Sequence, residues 1–264
     1  MLTHESTCCI HKTMLTVRQA TEMFHLVFLR ALVAKGEDKA LIALKGGCNL
    51  RFYFGSVRYS EDIDFDVVVI AKATLRKRVD RLLESPLVVA PLRSRGVSIV
   101  EATAPKQTET TQRWKVGLRV EGLAVPVRTK VEFSRRGAID GAKFEATPSD
   151  AVRSYGLTPV LSTHYTRPAA IAQKIEALAG RAEPQARDVF DLGLLFAQER
   201  AVAPSEVPRA ILELAIERAM SLSFDEYASK VVAYLDPEQA APHADRAAWD
   251  ALQEQVVAGL EALR

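Results

Sequence analysis

The sequence predicts an α/β (α+β) protein, with a mixed-sheet domain over residues 1–160 and a helical domain over residues 161–264. Three observations carry this. Segments 97–103, 113–121 and 125–134 alternate apolar and polar residues, as in RWKVGLRVEG and VRTKVEFS. That is the pattern of strands covered on one face. A short apolar run, Leu41-Ile42-Ala43-Leu44, stops at Lys45-Gly46-Gly47, as a strand does when it breaks into a turn. From about residue 167 onward the apolar residues recur three and four apart, the helical period.

The elements follow in order. Residues 15–35 read as an amphipathic helix that stops at Gly36. Residues 48–54 read as a short helix after the glycine pair. Ile63 to Ile70 alternates and then turns β-branched, so it reads as a strand, and 72–86 as a helix rich in Arg and Lys. Helices are expected over 168–180, 186–199, 204–220, 223–234 and 244–263, punctuated by Pro159, Pro168, Pro184, Pro204, Pro208 and Pro237.

Hydrophobic residues make up 48% and charged residues 26% of the 264, which excludes a disordered chain and permits a sizeable core. No apolar run reaches the roughly 20 residues of a membrane span. No secretory signal is read at the N-terminus. Cys8, Cys9 and Cys48 form neither a metal-site spacing nor an even disulfide set. A cytoplasmic protein is expected, starting at Met1 or at Met14. Residues 201–264 hold five basic and eleven acidic residues, leaving 30 basic and 22 acidic in 1–200. That bias suggests a polyanionic partner for the first part, though scattered surface charge produces the same count.

Asp62, Asp64 and Asp66 alternate at the start of the second strand. Alternate strand positions point to one face, so Asp62 and Asp64 project together. Like charges held close repel unless a cation lies between them. Hard carboxylate oxygens suit Mg2+ or Mn2+, which also take substrate phosphate oxygens. Asp is depleted in strands, so a solvated edge is the weaker account of three. Asp66 adjoins the apolar run and is read as outside the site. Gly46-Gly47 lies between a strand and a helix, where backbone N–H groups can approach a phosphate.

The run KGGCNLRFYFGSVRYSEDIDFDV resembles the signature of the AbiEii/AbiGii nucleotidyltransferase-like toxins of type IV-like toxin–antitoxin systems. The matching positions are Gly46, Gly47, Leu50, Arg58, Ser60, Asp62 and Asp64, followed by Lys174 and the segment Arg187-Asp188-Val189-Phe190-Asp191-Leu192. The resemblance spans roughly residues 41–195; Cys48-Asn49 departs from it where many members carry a small residue and Ala. It implies a nucleotidyltransferase-like sheet domain, with the helical domain completing a cleft. It implies Asp62, Asp64, Lys174 and Asp188 as catalytic residues, and Asp62 and Asp64 as ligands of Mg2+ or Mn2+. Gly46, Gly47, Arg58, Ser60 and Lys174 are then expected at the nucleoside triphosphate.

A third carboxylate on a later strand is usual in this superfamily, and Glu132 is the candidate; an exposed Lys130/Glu132 pair is the other reading. Lys174 lies off the stripe of Ile171, Ile175 and Leu178, so on its own it reads equally as a solvated lysine. Asp191 is read as supporting Arg187 four residues earlier. Ser60 stands two residues before Asp62, so phosphorylation there would put about two negative charges beside the metal. None of the five histidines shows ligand spacing, and His25 reads as a core or surface residue.

The resemblance also implies a growth-arresting toxin held by a cognate antitoxin; some relatives, the mycobacterial-type toxins, add nucleotides to tRNA 3′ ends. Residues 106–143 carry nine Lys/Arg and four acids, with Trp114 between Arg113 and Lys115, a composition suited to following RNA and stacking a base. Transfer to a small molecule or a protein, and an inactive binding module of the same fold, are the alternatives.

Overall fold

The computed structural model describes residues 14–34, 36, 39–197 and 207–264. Met1, Cys8, Cys9, Pro204 and the ends of the helices expected over 186–199 and 204–220 lie outside these.

Helix α1 (Val17–Val33) begins at a capping box, in which Thr16 and Gln19 satisfy each other's backbone N–H groups. Strand β1 (Ile42–Lys45) runs directly into α2 (Gly46–Tyr53), and β2 (Asp62–Val67) follows. Helices α3 (Lys72–Glu84) and α4 (Pro86–Ser94) occupy the region read as one helix over 72–86. Ser85 is extended and Pro86 stands in the first turn of α4, so the helix must restart there. Strands β3 (Val97–Gln107), β4 (Thr111–Val120) and β5 (Val127–Ser134) form a meander. β6 (Ala142–Ala146), α5 (Ser149–Arg153) and β7 (Leu161–Tyr165) complete the sheet layer.

The described strands form one mixed sheet in the order β3-β4-β5-β2-β1-β7-β6. β1 pairs antiparallel with β2 and parallel with β7, while β2 pairs parallel with β5. Ile63, Phe65, Val131, Phe133 and Trp114 point to one face, where α1, α3 and α4 bury them. The opposite face carries Asp62, Asp64 and Asp66 on β2, Lys130 and Glu132 on β5, and Arg113 and Lys115 on β4, as the pairing register requires.

Neither β6 nor β7 was expected from the sequence. β7 reads Leu-Ser-Thr-His-Tyr, which has no apolar alternation, yet four of its five residues are buried. Its polar groups are satisfied instead of excluded: Ser162 meets the Tyr53 hydroxyl at 2.6 Å, and His164 lies 2.8 Å from Asn49 and 2.9 Å from Glu145. The sheet therefore runs on to Tyr165.

The rest is helical: α6 (Arg167–Gly180), α7 (Ala186–Ala197), α8 (Arg209–Ser221), α9 (Phe224–Lys230), α10 (Pro237–Ala240) and α11 (Arg246–Glu261). These share a second apolar cluster around Trp249, Tyr227, Leu192 and Ile175. Leu50 of α2 belongs to this second cluster, whereas Cys48 and Phe52 of the same helix belong to the first. The glycine-led helix is thus clamped between the two cores. No helix among the described residues is long and apolar enough to cross a membrane.

Candidate functional site

The site is assembled where β1 gives way to α2. Gly46 adopts φ +67°, and a Cβ there would stand 3.0 Å from Asp64 Oδ2. A Cβ on Gly47 would stand 2.6 Å from Ser60 Oγ, closer than any real side chain lies. Glycine at both positions lets the chain turn directly against the aspartates. Ser60 donates its hydroxyl to the Asp62 carbonyl at 2.8 Å and so fixes the entry to β2.

The three aspartates meet different partners. Asp62 accepts from Lys130 Nζ at 2.8 Å. Asp66 is held by Lys45 Nζ at 2.5 Å and by the Tyr165 hydroxyl at 2.7 Å. It lines the same cavity as Asp64, contrary to the expectation that it lies outside the site, because Lys45 and Tyr165 flank it from β1 and β7. Asp64 lies opposite Lys45 and Glu132 in the sheet register. Burial and the charges of Asp62 and Glu132 push its carboxyl up to about 6, against the pull of Lys45 and Lys174. Glu132 itself is drawn 2.5 Å to Arg113.

From the helical side, Lys174 of α6 reaches Asp188 Oδ1 at 3.1 Å and Asp191 Oδ2 at 2.6 Å. Both carboxylates of α7 are fully buried, and Lys174 is only 13% exposed. Arg58 grips Asp191 with Nε at 3.2 Å and Nη2 at 2.9 Å, and Arg181 meets Asp188 at 2.8 Å. Burial alone would raise the Asp191 carboxyl, but Arg58 and Lys174 outweigh it and hold it below the usual range. Asp191 therefore supports Arg58 and Lys174, not Arg187 as the four-residue spacing suggested. Residues 188 and 191 share one helical face, and that face turns inward, where long-range cations are the available partners.

Two cavities meet the aspartates. One of about 900 Å³ is lined by Lys45, Gly46, Asp64, Asp66, Lys174 and Arg181, among others. The other, about 600 Å³, reaches Ser60 and Asp62 and is walled by β4 and β5. The sequence missed Arg181 and the Lys45–Asp66–Tyr165 contact. Lys45 was signalled by its place beside Gly46, whereas Arg181 had no local signal.

Trp114 does not face the basic surface. It is 1% exposed, its ring packs edge-on to Phe133, and its Nε1 donates to Asp80 at 2.7 Å. Arg113 and Lys115 take the open face by alternation, so Trp114 must take the core face. His25 is a core residue: its Nε2 lies 2.8 Å from Thr129 Oγ1, and burial pushes its pKa down to about 3.

Among the described residues, no three His, Cys, Asp or Glu side chains are arranged to hold a metal ion on their own. Asp62 and Asp64 nevertheless fit a divalent cation. Their donors are hard carboxylate oxygens, and Asp62 stands one alternate position along the strand from Asp64 while Glu132 lies across the strand pair from it, a gathering of negative charge that a cation offsets. Mg2+ commonly takes one or two carboxylates and completes its shell with substrate phosphates and water.

A mixed sheet with paired aspartates beside a glycine turn, completed by a lysine from a helical layer, defines a nucleotidyltransferase-like fold. The chain belongs to the AbiEii family, described as "Nucleotidyl transferase AbiEii toxin, Type IV TA system", which matches residues 27–263. The protein is accordingly a nucleotidyltransferase of the toxin class. Among solved structures, MenT4, a nucleotidyltransferase toxin from Mycobacterium tuberculosis H37Rv, aligns at TM-score 0.63 and 16% identity, over 95% of this chain and 87% of its own. JHP933 from Helicobacter pylori aligns at TM-score 0.53 and 18% identity, over 91% of this chain and 94% of its own. At these identities the likeness is one of fold. No curated protein matches the chain.

Proposed function

We propose that the protein transfers a nucleotide from a nucleoside triphosphate to RNA, at the 3′ end and in particular that of tRNA, releasing pyrophosphate and arresting growth in the cytoplasm. The observation that carries this reading is the pair Asp62 and Asp64 on one strand face, with Asp64 lining a cavity that also receives Lys45, Lys174 and Arg181 and Asp62 lining a second. Asp62 and Asp64 would hold Mg2+ or Mn2+, with Glu132 across the strand pair from Asp64. The metal supplies charge stabilisation on the attacking and leaving oxygens of an in-line displacement.

The chain's own groups do the positioning. Gly46 and Gly47 let the backbone approach the triphosphate, as nothing bulkier fits beside Asp64 and Ser60. Lys174 faces the leaving phosphates from the 900 Å³ cavity, its position fixed by Asp188 and Asp191. Arg58 acts through Asp191, as a positioning residue. Catalysis of this kind rests on fixed charges and geometry. A cognate antitoxin is the expected partner of the toxin, and Ser60, between Gly47 and Asp62, is the candidate point of control.

The test is label transfer from each NTP, with Mg2+ or Mn2+, to total tRNA. Wild type labels the RNA; Asp62→Asn and Asp64→Asn each lower the rate by about a hundredfold or more, the scale of removing one electrostatic element of a transition-state site. Absence of label in RNA from any NTP, with label appearing in protein or small molecules, refutes the RNA acceptor.

A further inference from the structure

The carboxylate pair has a cavity on each side, and the two are built differently. Asp64 lines the larger one, whose other charged walls include Lys45 at the glycine turn and Lys174 and Arg181 from α6 and its end, and Asp62 lines the smaller. In an in-line displacement the leaving pyrophosphate and the attacking hydroxyl lie on opposite sides of the α-phosphorus. Two separate cavities, one lined by each aspartate, can supply those two sides. The glycine turn and its lysines suit the polyphosphate, which leaves the smaller cavity for the acceptor.

The walls of the smaller cavity say what kind of acceptor it takes. Lys115, Arg128 and Lys130 come from neighbouring positions of β4 and β5 on the open face of the sheet. Lys130 is bound to Asp62, while Arg128 is 80% exposed and 3.9 Å from Glu101, so it stands open to a phosphate. Tyr59 and Tyr234 line the same cavity. Tyr234 is the unusual one. It is 43% exposed, yet the backbone on both sides of it is pinned, because Arg18 donates to the Ala233 and Leu235 carbonyls, each at 2.6 Å. The adjoining Asp236 accepts from the Tyr59 hydroxyl at 3.1 Å. An exposed aromatic whose flanking segment is held by Arg18 and Tyr59 is preorganised for stacking.

We propose that this cavity is the acceptor subsite, seating the 3′-terminal nucleoside of a single-stranded polynucleotide with its base on Tyr234 and its flanking phosphates on Lys115 and Arg128. The assignment rests on the nucleotidyl-transfer reading above and adds the place and the contacts. The terminal hydroxyl then lies beside Asp62. Its oxygen bonds to the α-phosphorus, the bond from that phosphorus to the bridging oxygen of pyrophosphate breaks, the hydroxyl proton leaves to water, and pyrophosphate departs through the larger cavity.

The test uses the full chain, a fluorescently labelled single-stranded RNA with a free 3′ hydroxyl, and two variants, Tyr234→Ala and Lys115→Ala/Arg128→Ala. Anisotropy titrations are run at several salt concentrations, beside steady-state transfer with RNA and NTP varied separately. Tyr234→Ala weakens RNA binding about tenfold or more, the effect of losing one stacked base, and Tyr234→Phe restores it. The double variant lowers the slope of log affinity against log salt by about 1.4, from two lost phosphate contacts on a single strand. Both raise the KM for RNA and leave the KM for NTP within about twofold. Unchanged RNA affinity and salt slope, or a rise in the KM for NTP instead, overturns the assignment even where RNA is labelled. If wild type labels no acceptor of any kind, the transfer reading itself falls, and if it labels a small molecule or protein instead of RNA, the polynucleotide is the wrong occupant.

Discussion

Arg58 offers the sharpest perturbation of the buried charge cluster. Its guanidinium, 9% exposed, makes the main ion pair to Asp191, which has no exposure at all. Arg58→Met keeps the bulk and removes the charge, leaving Asp191 with Lys174 alone. Breaking one side of a buried pair typically costs about 3–5 kcal/mol, and the surviving Lys174 contact puts this case near the lower end. For a chain of this size that is a fall of about 6 °C or more in Tm. The sign with pH follows from Asp191, whose carboxyl is held below its usual value in the fold. Its contribution is complete above the ordinary carboxyl value of 3.8 and is lost as pH falls through the lowered native one. The gap between wild type and variant is thus full at neutral pH and closes in acid. Arg58→Met/Asp191→Asn recovers most of the loss, because no charge is then stranded; Arg58→Lys does not, because one ammonium cannot replace the planar grip. Thermal melts and urea titrations of the four proteins at neutral and acid pH measure this. A loss below about 1 kcal/mol, the scale of an exposed pair, or a gap that persists in acid refutes the reasoning.

Other outcomes are expected at the glycine turn and the sheet. Gly47→Ala forces a methyl to 2.6 Å from Ser60 Oγ, so label transfer falls about a hundredfold through displacement of the aspartate strand; unchanged turnover would show that the turn has slack. Ser60→Asp places a negative charge beside Asp62 and abolishes transfer, and a fully active variant removes Ser60 as a control point. Trp114→Phe loses the bond to Asp80 and lowers stability by about 1–2 kcal/mol in urea titration, while RNA affinity stays at the wild-type value.

The sheet was legible in the sequence where its two faces differ in chemistry. Ile63, Phe65, Val131 and Phe133 alternate with Asp62, Asp64, Lys130 and Glu132, so both strands and both faces are written in the residue pattern. β7 was not readable, since its inward groups are polar and gain their burial from hydrogen bonds to α2, 109 and 115 residues away, and to the neighbouring β6. The same limit applies to charges. Local spacing paired Asp191 with Arg187, but a fully buried carboxylate takes its partners across the fold, 17 residues away at Lys174 and 133 away at Arg58. Trp114 shows the converse: composition put an aromatic in a basic stretch, and strand alternation put it behind the surface.

The position of Lys174 ties the site to the order in which the chain is made. Its carboxylate partners sit on α7, and α7 is seated by α11: Gly193 is so close to Leu252 that a Cβ would stand 2.3 Å away, and Trp249, Val256 and Leu260 close the same cluster. Every residue from β1 to α7 thus emerges from the ribosome before α11, the helix that packs on α7, is made. A chain halted before Arg246 has its aspartates, already paired with Lys45 and Lys130, but lacks the helix that packs behind Asp188 and Asp191, so the cations of the helical side are seated later than those of the sheet.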